Sequence, residues 1–269
     1  MKSRLPACPP RRVHYMGAML SRFRSRPKRT DRLPEGLRLY AIGDIHGRRD
    51  LLDALLGQID ADLAGWSGDS EIVFLGDYVD RGNASAAVLD RLAEGPPQGR
   101  RWTLLKGNHE SILAHLVSGR PREDESLYPA WLKHGGRETL ASYGLPAALA
   151  FGDDEHAALG ALREVMPRTH IELLESFELM RRAGDYLFVH AGIRPGVPVE
   201  EQRQRDLIWI REAFLEHKGD HGFHVVHGHS ITRDVDAQAN RTGIDTGAYA
   251  TGRLTAMVLE GDSRRFLST

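Results

Sequence analysis

The chain has 269 residues, of which 41% are hydrophobic and 27% are charged, a balance typical of a globular protein and not of a disordered or membrane-embedded chain. Its formal net charge of -1 excludes a general basic field, so no specific nucleic-acid partner is expected. The single cysteine, Cys8, excludes an intramolecular disulfide and a thiolate zinc cluster. These features predict one substantial domain that works in the reducing cytoplasm.

The first 33 residues are rich in Arg, Lys and Pro, with Asp31 as their only acidic residue. We interpret residues 1–33 as a basic, disordered arm, and Met16 or Met19 could each begin a complete protein. Adhesion of this arm to an anionic lipid or nucleic-acid surface is the alternative. No apolar stretch is long enough to span a bilayer, and a signal peptide is not recognisable. One folded domain is therefore expected over residues 34–269.

From residue 37 onward, short β-rich runs alternate with glycine-containing turns and helical periodicity, which is typical of α/β organisation. Helical spacing of apolar residues appears at residues 51–63 and again at 112–116. The charged residues 119–125 are interpreted as a loop. Strands are predicted at residues 37–42, 71–75, 101–105, 186–189, 223–226, 243–244 and 254–259.

Polar motifs follow five of the predicted strands. In open α/β sheets, ligand-binding residues collect just past the carboxyl ends of the strands. A single Gly-Asp-x-His is more often a turn with a capping Asp, but five polar motifs in this order predict one shared site. The motifs are GDIHG at residues 43–47, GDYVDRG at 76–82, GNHE at 107–110, HAG at 190–192 and HGHS at 227–230.

The residue types in these motifs predict a centre of two divalent metal ions. Asp44 and His46 lie two apart in an extended segment, so both can bind the same ion. Asp77 has two carboxylate oxygens that can bridge the ions, and later motifs offer neutral amide and imidazole donors. Such donors suit manganese, our first expectation, or iron or zinc. The predicted ligands are Asp44, His46, Asp77, Asn108, His190 and His229.

His227 competes with His229 for the last ligand position. A glycine precedes Asp44, Asp77 and Asn108, and Gly228 likewise precedes His229. Because glycine lets the backbone approach a metal closely, this pattern favours His229.

The net charge of the predicted centre stays positive after the charges of two carboxylates and a bridging hydroxide are subtracted from those of two divalent ions. A phosphate dianion is therefore the expected ligand. The hydroxide would attack phosphorus in line. Arg81 can bind the phosphoryl oxygens, and His109, held by Asp80, can protonate the leaving group. The plain alternatives are a surface salt bridge for Arg81 and a buried structural histidine for His109.

Together, the motifs closely resemble those of the phosphoprotein phosphatase family in the calcineurin-like metallophosphoesterase superfamily, above all its bacterial serine/threonine phosphatases. The resemblance extends over residues 37–260 and includes residues 131–136, 207–211 and 243–248. It implies an α/β metallophosphoesterase domain over residues 34–269, with a central β-sandwich flanked by helices on both sides.

For the site, the resemblance implies the same six metal ligands and the Asp80 and His109 acid pair. It also implies Arg211, beside Arg81, as a second phosphate-binding arginine, which the residues alone support only weakly. Asn83 stands where many relatives have Pro, so the loop after β-strand residues 71–75 is expected to be less rigid.

The sequence thus predicts a metal-dependent serine/threonine protein phosphatase that acts on a phosphoprotein or phosphopeptide. The alternative is a symmetrical diadenosine tetraphosphate hydrolase, which resembles this chain at residues 190–192 and 245–247. Asp80 and the absence of glutamine from the first motif favour the phosphatase. A non-catalytic metal-binding scaffold is a third hypothesis, and the oligomeric state is left open.

Overall fold

The computed structural model describes residues 30–119 and 126–269. Asp31–Thr269 form one compact unit, which begins before the predicted boundary at residue 34. Leu33 is buried, and its amide N–H donates to the carbonyl of Gly261 at 2.9 Å. Residues 1–29 of the predicted arm, and all but residue 119 of the predicted loop at 119–125, lie outside the described residues.

Ten strands are found in the described residues, and all seven predicted runs form strands with ends shifted by at most two residues. The strands are β1 (Leu37–Ile42), β2 (Asp69–Phe74), β3 (Arg101–Leu104), β4 (Met180–Ala183), β5 (Tyr186–Val189), β6 (His224–His227), β7 (Asp236–Ala237), β8 (Arg241–Gly243), β9 (Thr255–Glu260) and β10 (Ser263–Ser268).

These strands form two mixed sheets. The first has the order β10-β9-β1-β2-β3, in which β1, β2 and β3 are parallel and β9 and β10 are antiparallel neighbours. The second has the order β4-β5-β6-β8-β7, in which β5, β6 and β8 are parallel. The parallel strands are therefore neighbours within each sheet, with β3 at the edge of the first, and the predicted polar motifs follow β1, β2, β3, β5 and β6.

The helices connect and cover the sheets, and those of the described residues are numbered along the chain. They are α1 (Arg49–Asp62), α2 (Ser85–Ala93), α3 (Asn108–Val117), α4 (Leu127–Trp131), α5 (Arg137–Ser142), α6 (Ala147–Ala150), α7 (Glu155–Val165), α8 (Arg168–Ser176), α9 (Gln204–Trp209), α10 (Glu212–Leu215) and α11 (Ala248–Thr251). Leu132–Gly136 form a kinked connection between α4 and α5, here called the π-helical turn, in which His134 and Gly135 have non-helical backbone angles. A 3-10 turn covers Val199–Glu201. None of the described helices has the length and apolar character that a bilayer crossing requires.

The two sheets pack face to face, with helices on their outer faces. Alternate residues of β1 show this arrangement: Leu39 and Ala41 join the cluster between the sheets, while Tyr40 and Ile42 face the helices. Both faces of β1 are buried, which explains its nearly continuous apolar sequence. In the second sheet, Phe188 packs between the sheets. The predicted β-sandwich flanked by helices is confirmed.

Three strands escaped the sequence prediction because they lack apolar runs. β4 and β10 contain adjacent arginines and lie at sheet edges, where one side of the strand has no neighbour. Edge strands tolerate charged residues, so their sequences show no core pattern. β7 has only two residues.

The inter-sheet core gives a stability prediction. Phe188→Ala should lower the free energy of unfolding by about 3–5 kcal/mol, because a fully buried ring leaves a cavity between the sheets. Phe266→Ala, on edge strand β10, should cost less than about 0.5 kcal/mol because its ring is exposed. Denaturant unfolding of both variants checks this, and equal losses would contradict the placement of Phe188 in the core.

Candidate metal centre and active site

The predicted site residues converge at the carboxyl ends of parallel strands from both sheets. The loops after β1 and β2 and the first turn of α3 supply residues from the first sheet. The segments after β5 and at the end of β6 supply residues from the second sheet. The residues brought together are Asp44, His46, Asp77, Asp80, Arg81, Asn108, His109, His190 and His229.

Left-handed backbone at non-glycine residues is confined, within the described chain, to this set. Such conformations are sparsely populated and cost roughly 1–3 kcal/mol each, so they persist only where surrounding contacts enforce them. The strain therefore falls where the sequence predicts chemistry. The residues and their φ angles are His46 (45°), Asp77 (52°), Asp80 (72°), Arg81 (67°) and His229 (62°).

Asp77 belongs to two overlapping clusters of metal-ligating side chains. It groups with His190 and His229 on one side and with His46 and His109 on the other, and the donor atoms of each group lie within 4.8 Å of one another. Its Oδ1 is 3.4 Å from His190 Nε2, whereas its Oδ2 is 3.5 Å from His46 Nε2. The two oxygens thus face different clusters, as a bridging carboxylate requires.

Two further predicted ligands lie beside these clusters. Asn108 Oδ1 is 3.0 Å from His190 Nε2, which places this amide on the His190 side. Asp44 belongs to neither cluster, and both its oxygens accept the backbone N–H of His229, at 3.2 and 3.1 Å. A Cβ at Gly228 would lie 2.0 Å from Asp44 Oδ1, so glycine is needed for this close approach.

Backbone carbonyls orient the imidazole rings. His46 Nδ1–H donates to the Val79 carbonyl at 2.8 Å, and His190 Nδ1–H donates to the Leu75 carbonyl at 2.9 Å. These bonds leave Nε2 of both rings facing the clusters, an arrangement common around bound metals. Among the described residues, His229 Nε2 has no hydrogen-bond partner although it is buried. A metal ion would satisfy this nitrogen.

The electrostatics of the site also fit divalent cations. Burial lowers the pKa of His46 to about 3 and that of His229 to about 2, and it lowers the pKa of His190 as well. These rings are therefore neutral and present lone pairs. Burial, with help from the Asp245 carboxylate, raises the pKa of Asp44 well above its usual range. Neutral imidazoles and crowded carboxylates together form a donor set that divalent metals stabilise.

His109 and Asp80 form a buried pair at the edge of the clusters. His109 Nδ1 donates to Asp80 Oδ2 at 2.6 Å, and His109 Nε2 lies 3.8 Å from Asp77 Oδ2. Burial lowers the pKa of His109, but the carboxylates of Asp77 and Asp80 outweigh it and raise this pKa to about 9. His109 is thus a charged imidazolium whose Nε2–H faces the site.

Asp80 is itself held by residues whose role the sequence did not reveal. Trp131 Nε1 donates to both Asp80 oxygens at 3.0 Å, and Thr139 Oγ1 donates to Oδ1 at 2.6 Å. Trp131 belongs to the motif at residues 131–136, which carried the family resemblance but no assigned function. No local pattern reveals the contact, because it joins residues 51 apart in the sequence.

Glu110 is a second supporting residue that the sequence left without a role. Its carboxyl oxygens accept the backbone N–H groups of Asp77, Tyr78 and Val79 at 2.9, 2.7 and 3.1 Å. They also accept the N–H of Gly107 at 3.1 Å. Glu110 therefore ties the loop after β2 to the start of α3.

The Arg81 guanidinium reaches His46 and His109, the two histidines that form one cluster with Asp77. Its Nη1 is 2.9 Å from His46 Nε2, and its Nη2 is 3.4 Å from His109 Nε2. The π-helical turn supports it, because the Arg81 N–H donates to the Gly135 carbonyl at 3.3 Å. A Cβ at Gly135 would lie 2.2 Å from the backbone nitrogen of Arg81, so only glycine fits there. The ring of Tyr249 stacks against the guanidinium at 4.8 Å.

Arg211 lies near the His190 side of the site. It is exposed at the start of α10, and its Nη1 donates to Ser230 Oγ at 3.4 Å. The low pKa of His229 arises first from burial and then from His190, with a smaller contribution from the Arg211 charge. Arg81 contacts His46, whereas the charge of Arg211 acts on His229. The two predicted phosphate-binding arginines thus lie near different clusters.

His227 is turned away from the metal-ligating clusters. Its ring packs edge-on against Phe214, and its Nε2 lies 3.3 Å from Arg241 Nη1. Phe214 belongs to the hydrophobic cluster on the outer face of the second sheet. This environment is that of a buried structural histidine, as the preference for His229 anticipates.

Comparison with known proteins identifies the family. The family model described as calcineurin-like phosphoesterase matches residues 37–252, a span that contains every site residue described above. The chain belongs to the calcineurin-like phosphoesterase family. The paired clusters around Asp77 agree with the divalent metals on which metallophosphoesterases depend.

Among its relatives, this phosphoesterase is similar to symmetrical bis(5'-nucleosyl)-tetraphosphatases. That of Paracidovorax citrulli (strain AAC00-1) is 30% identical over 184 residues, which cover 68% of this chain and 49% of the relative. That of Legionella pneumophila (strain Lens) is 39% identical over 102 residues, which cover 37% of this chain and 34% of the relative. The chain thus spans about half, or less, of the length of these relatives.

A crystal structure of a candidate diadenosine tetraphosphatase superposes with a TM-score of 0.56 and 22% sequence identity. The superposition covers 86% of this chain and 93% of the other. It shows that the two proteins share a fold.

The contrast between the two neighbouring histidines gives a prediction. We expect His229→Ala to lower bound metal and to reduce activity at least about tenfold, because a buried donor is lost. His227→Ala should retain most of both, since its ring contacts Phe214 and Arg241 instead. Elemental analysis of both purified variants checks the expectation. Loss of metal only in the His227 variant would show that His227, and not His229, is the ligand.

Proposed function

We propose that this phosphoesterase hydrolyses dinucleoside polyphosphates, with diadenosine tetraphosphate as the model substrate. The names of its curated relatives support this activity. They favour the tetraphosphate hydrolase over the protein phosphatase that the motifs alone predicted. The observation that carries the proposal is a cationic cavity with an aromatic wall that opens beside Arg81.

This cavity has a volume of about 380 Å³. Lys133 and His134 of the π-helical turn line it together with Arg81, and Glu138 is the one acidic residue of its lining. Tyr249 forms an aromatic wall and also contacts the His46 ring edge-on at 5.5 Å. A polyphosphate carries charges beyond the reacting phosphoryl group, and basic side chains next to the reaction site can bind them.

The site residues divide into those that bind metal and those that act on the substrate. Two divalent ions, with manganese expected first and iron or zinc as alternatives, would supply the Lewis acidity that activates water and polarises the phosphoryl oxygens. Arg81 and Arg211 bind and orient the phosphoryl group. His109, held by Asp80, carries a proton toward the leaving oxygen. The proposed metal ligands are Asp44, His46, Asp77, Asn108, His190 and His229.

A second candidate function is hydrolysis of phosphoserine or phosphothreonine in proteins. The observation that favours it is the buried His109 and Asp80 pair, fixed by Trp131 and Thr139. A serine alkoxide is strongly basic and needs protonation as it departs, whereas a nucleoside diphosphate departs readily. A general acid held in a fixed position thus accelerates a protein phosphatase reaction more than hydrolysis of a dinucleoside polyphosphate.

Side-by-side assays test the proposed function. The metal-loaded protein should convert diadenosine tetraphosphate and water to two ADP, with kcat/KM at least about tenfold above that for a phosphoserine peptide. Chelation should abolish both activities and Mn²⁺ should restore them, because the proposed ligands are oxygen and nitrogen donors. A better phosphopeptide substrate would establish the second candidate, and full activity in metal-free protein would refute metal catalysis.

Leaving-group dependence tests the acid. His109→Ala should slow hydrolysis of a phosphoserine peptide on the order of 10²-fold or more, and that of p-nitrophenyl phosphate much less, since p-nitrophenolate departs without a proton. Asp80→Asn should show the same bias more weakly. His115→Ala, an exposed histidine of the same helix, serves as the control.

Both assays are run at saturating metal, so that lost occupancy is not mistaken for lost acid catalysis. Equal slowing of both substrates, with unchanged metal content, would assign His109 to phosphate binding instead.

A further inference from the structure

A second and larger cavity lies beside α9. Its volume is about 800 Å³, within the range of small-molecule binding sites. The segment that precedes α9, helix α9 itself and the residue that follows it form its walls. We call it the α9 pocket, and its lining residues are Arg194, Val197, Glu201, Arg203, Arg205, Asp206, Trp209 and Ile210.

Trp209 connects the α9 pocket to the metal-ligating clusters. Its ring meets that of His229 edge-on, with centroids 6.1 Å apart. Its side chain is nonetheless 45% exposed, which is unusual for so large an aromatic residue. A ligand that lies on the free part of this ring would be in direct reach of the proposed phosphate site.

The charge of the α9 pocket favours an anionic ligand. The Arg194 guanidinium is neutralised by Asp206, which it contacts with two hydrogen bonds of 2.9 and 2.6 Å. Arg203 and Arg205 are exposed, and neither forms a salt bridge within residues 30–119 and 126–269. Both also lower the pKa of Asp206 through their charge, so three arginines share the carboxylates of Asp206 and Glu201 and the lining keeps a net positive charge.

An aromatic face and exposed arginines match the two parts of a nucleotide. Nucleobases stack on aromatic side chains whatever their identity, and guanidinium groups bind phosphates. We propose that the α9 pocket binds a nucleoside phosphate portion of the substrate, with the base on Trp209 and the phosphates on Arg203 and Arg205. The proposal rests on the proposed function, because it assigns a binding site to one half of a dinucleoside polyphosphate.

Direct binding measurements test the pocket independently of turnover. Calorimetric titration of the Mn²⁺-loaded protein compares ADP with pyrophosphate, which has the phosphates but no base. Wild-type protein should bind ADP about tenfold more tightly than pyrophosphate. Trp209→Ala should remove that preference, while Trp209→Phe should keep most of it. Arg205→Ala should weaken binding of both ligands, because it removes a phosphate contact.

Matched controls are available elsewhere on the surface. Phe266→Ala removes an exposed ring from β10, and Arg168→Ala removes an exposed arginine from α8. Both should bind ADP and pyrophosphate as the wild type does. Metal content is matched among all variants, so that an indirect effect of Trp209 on His229 is not scored as lost nucleotide binding.

The outcomes separate the two hypotheses. If ADP and pyrophosphate bind equally to the wild type, or if Trp209→Ala keeps the ADP preference, the α9 pocket assignment is wrong even where the tetraphosphate is cleaved. If ADP binding depends on Trp209 but the tetraphosphate is not cleaved, the pocket assignment holds and the proposed function is wrong.

Discussion

One buried carboxyl group, that of Glu110, sets the geometry on which the site depends. It accepts three consecutive backbone N–H groups from the loop after β2 and a fourth from Gly107. These donors offset only part of the cost of its removal from water, because burial and then the Asp77 carboxylate still raise the pKa of Glu110 to about 8. Because the loop carries Asp77 and the helix begins at Asn108, the interaction fixes the segments of two proposed metal ligands relative to each other. A buried side chain that belongs to neither cluster thereby positions the Asp77 carboxylate.

The same loop illustrates how the fold holds an unfavourable backbone in place. Asp77, Asp80 and Arg81 all adopt left-handed conformations, and each is held from outside the loop. Glu110 holds the first, Thr139 and Trp131 hold the second through its carboxylate, and the π-helical turn holds Arg81. The local strain is thus offset by contacts from helices distant in sequence, so the conformation of this loop depends on the helices that cover the first sheet.

Much of this architecture follows from local sequence, and the remainder does not. The seven apolar runs and the motifs after them predicted the central strands and the convergence of Asp77, His190 and His229. Edge strands β4 and β10 were missed because they bury too little to show a pattern. The supports of Asp80 were missed because they join residues about 50 to 60 apart. Arg211 was assigned only through family resemblance, since an exposed arginine has no local signature.

One cluster comes entirely from the first sheet, whereas the other joins Asp77 of the first sheet to two histidines of the second. His46 and Asp77 follow strands of the first sheet, whereas His190 and His229 come from the second. The proposed metal centre would therefore lie where the two sheets meet, above the core between them, which includes Leu39 and Phe188. A change in the thickness of that core would alter the distance between the two clusters without changing any of their side chains, so the hydrophobic interior helps to set the geometry of the proposed metal centre.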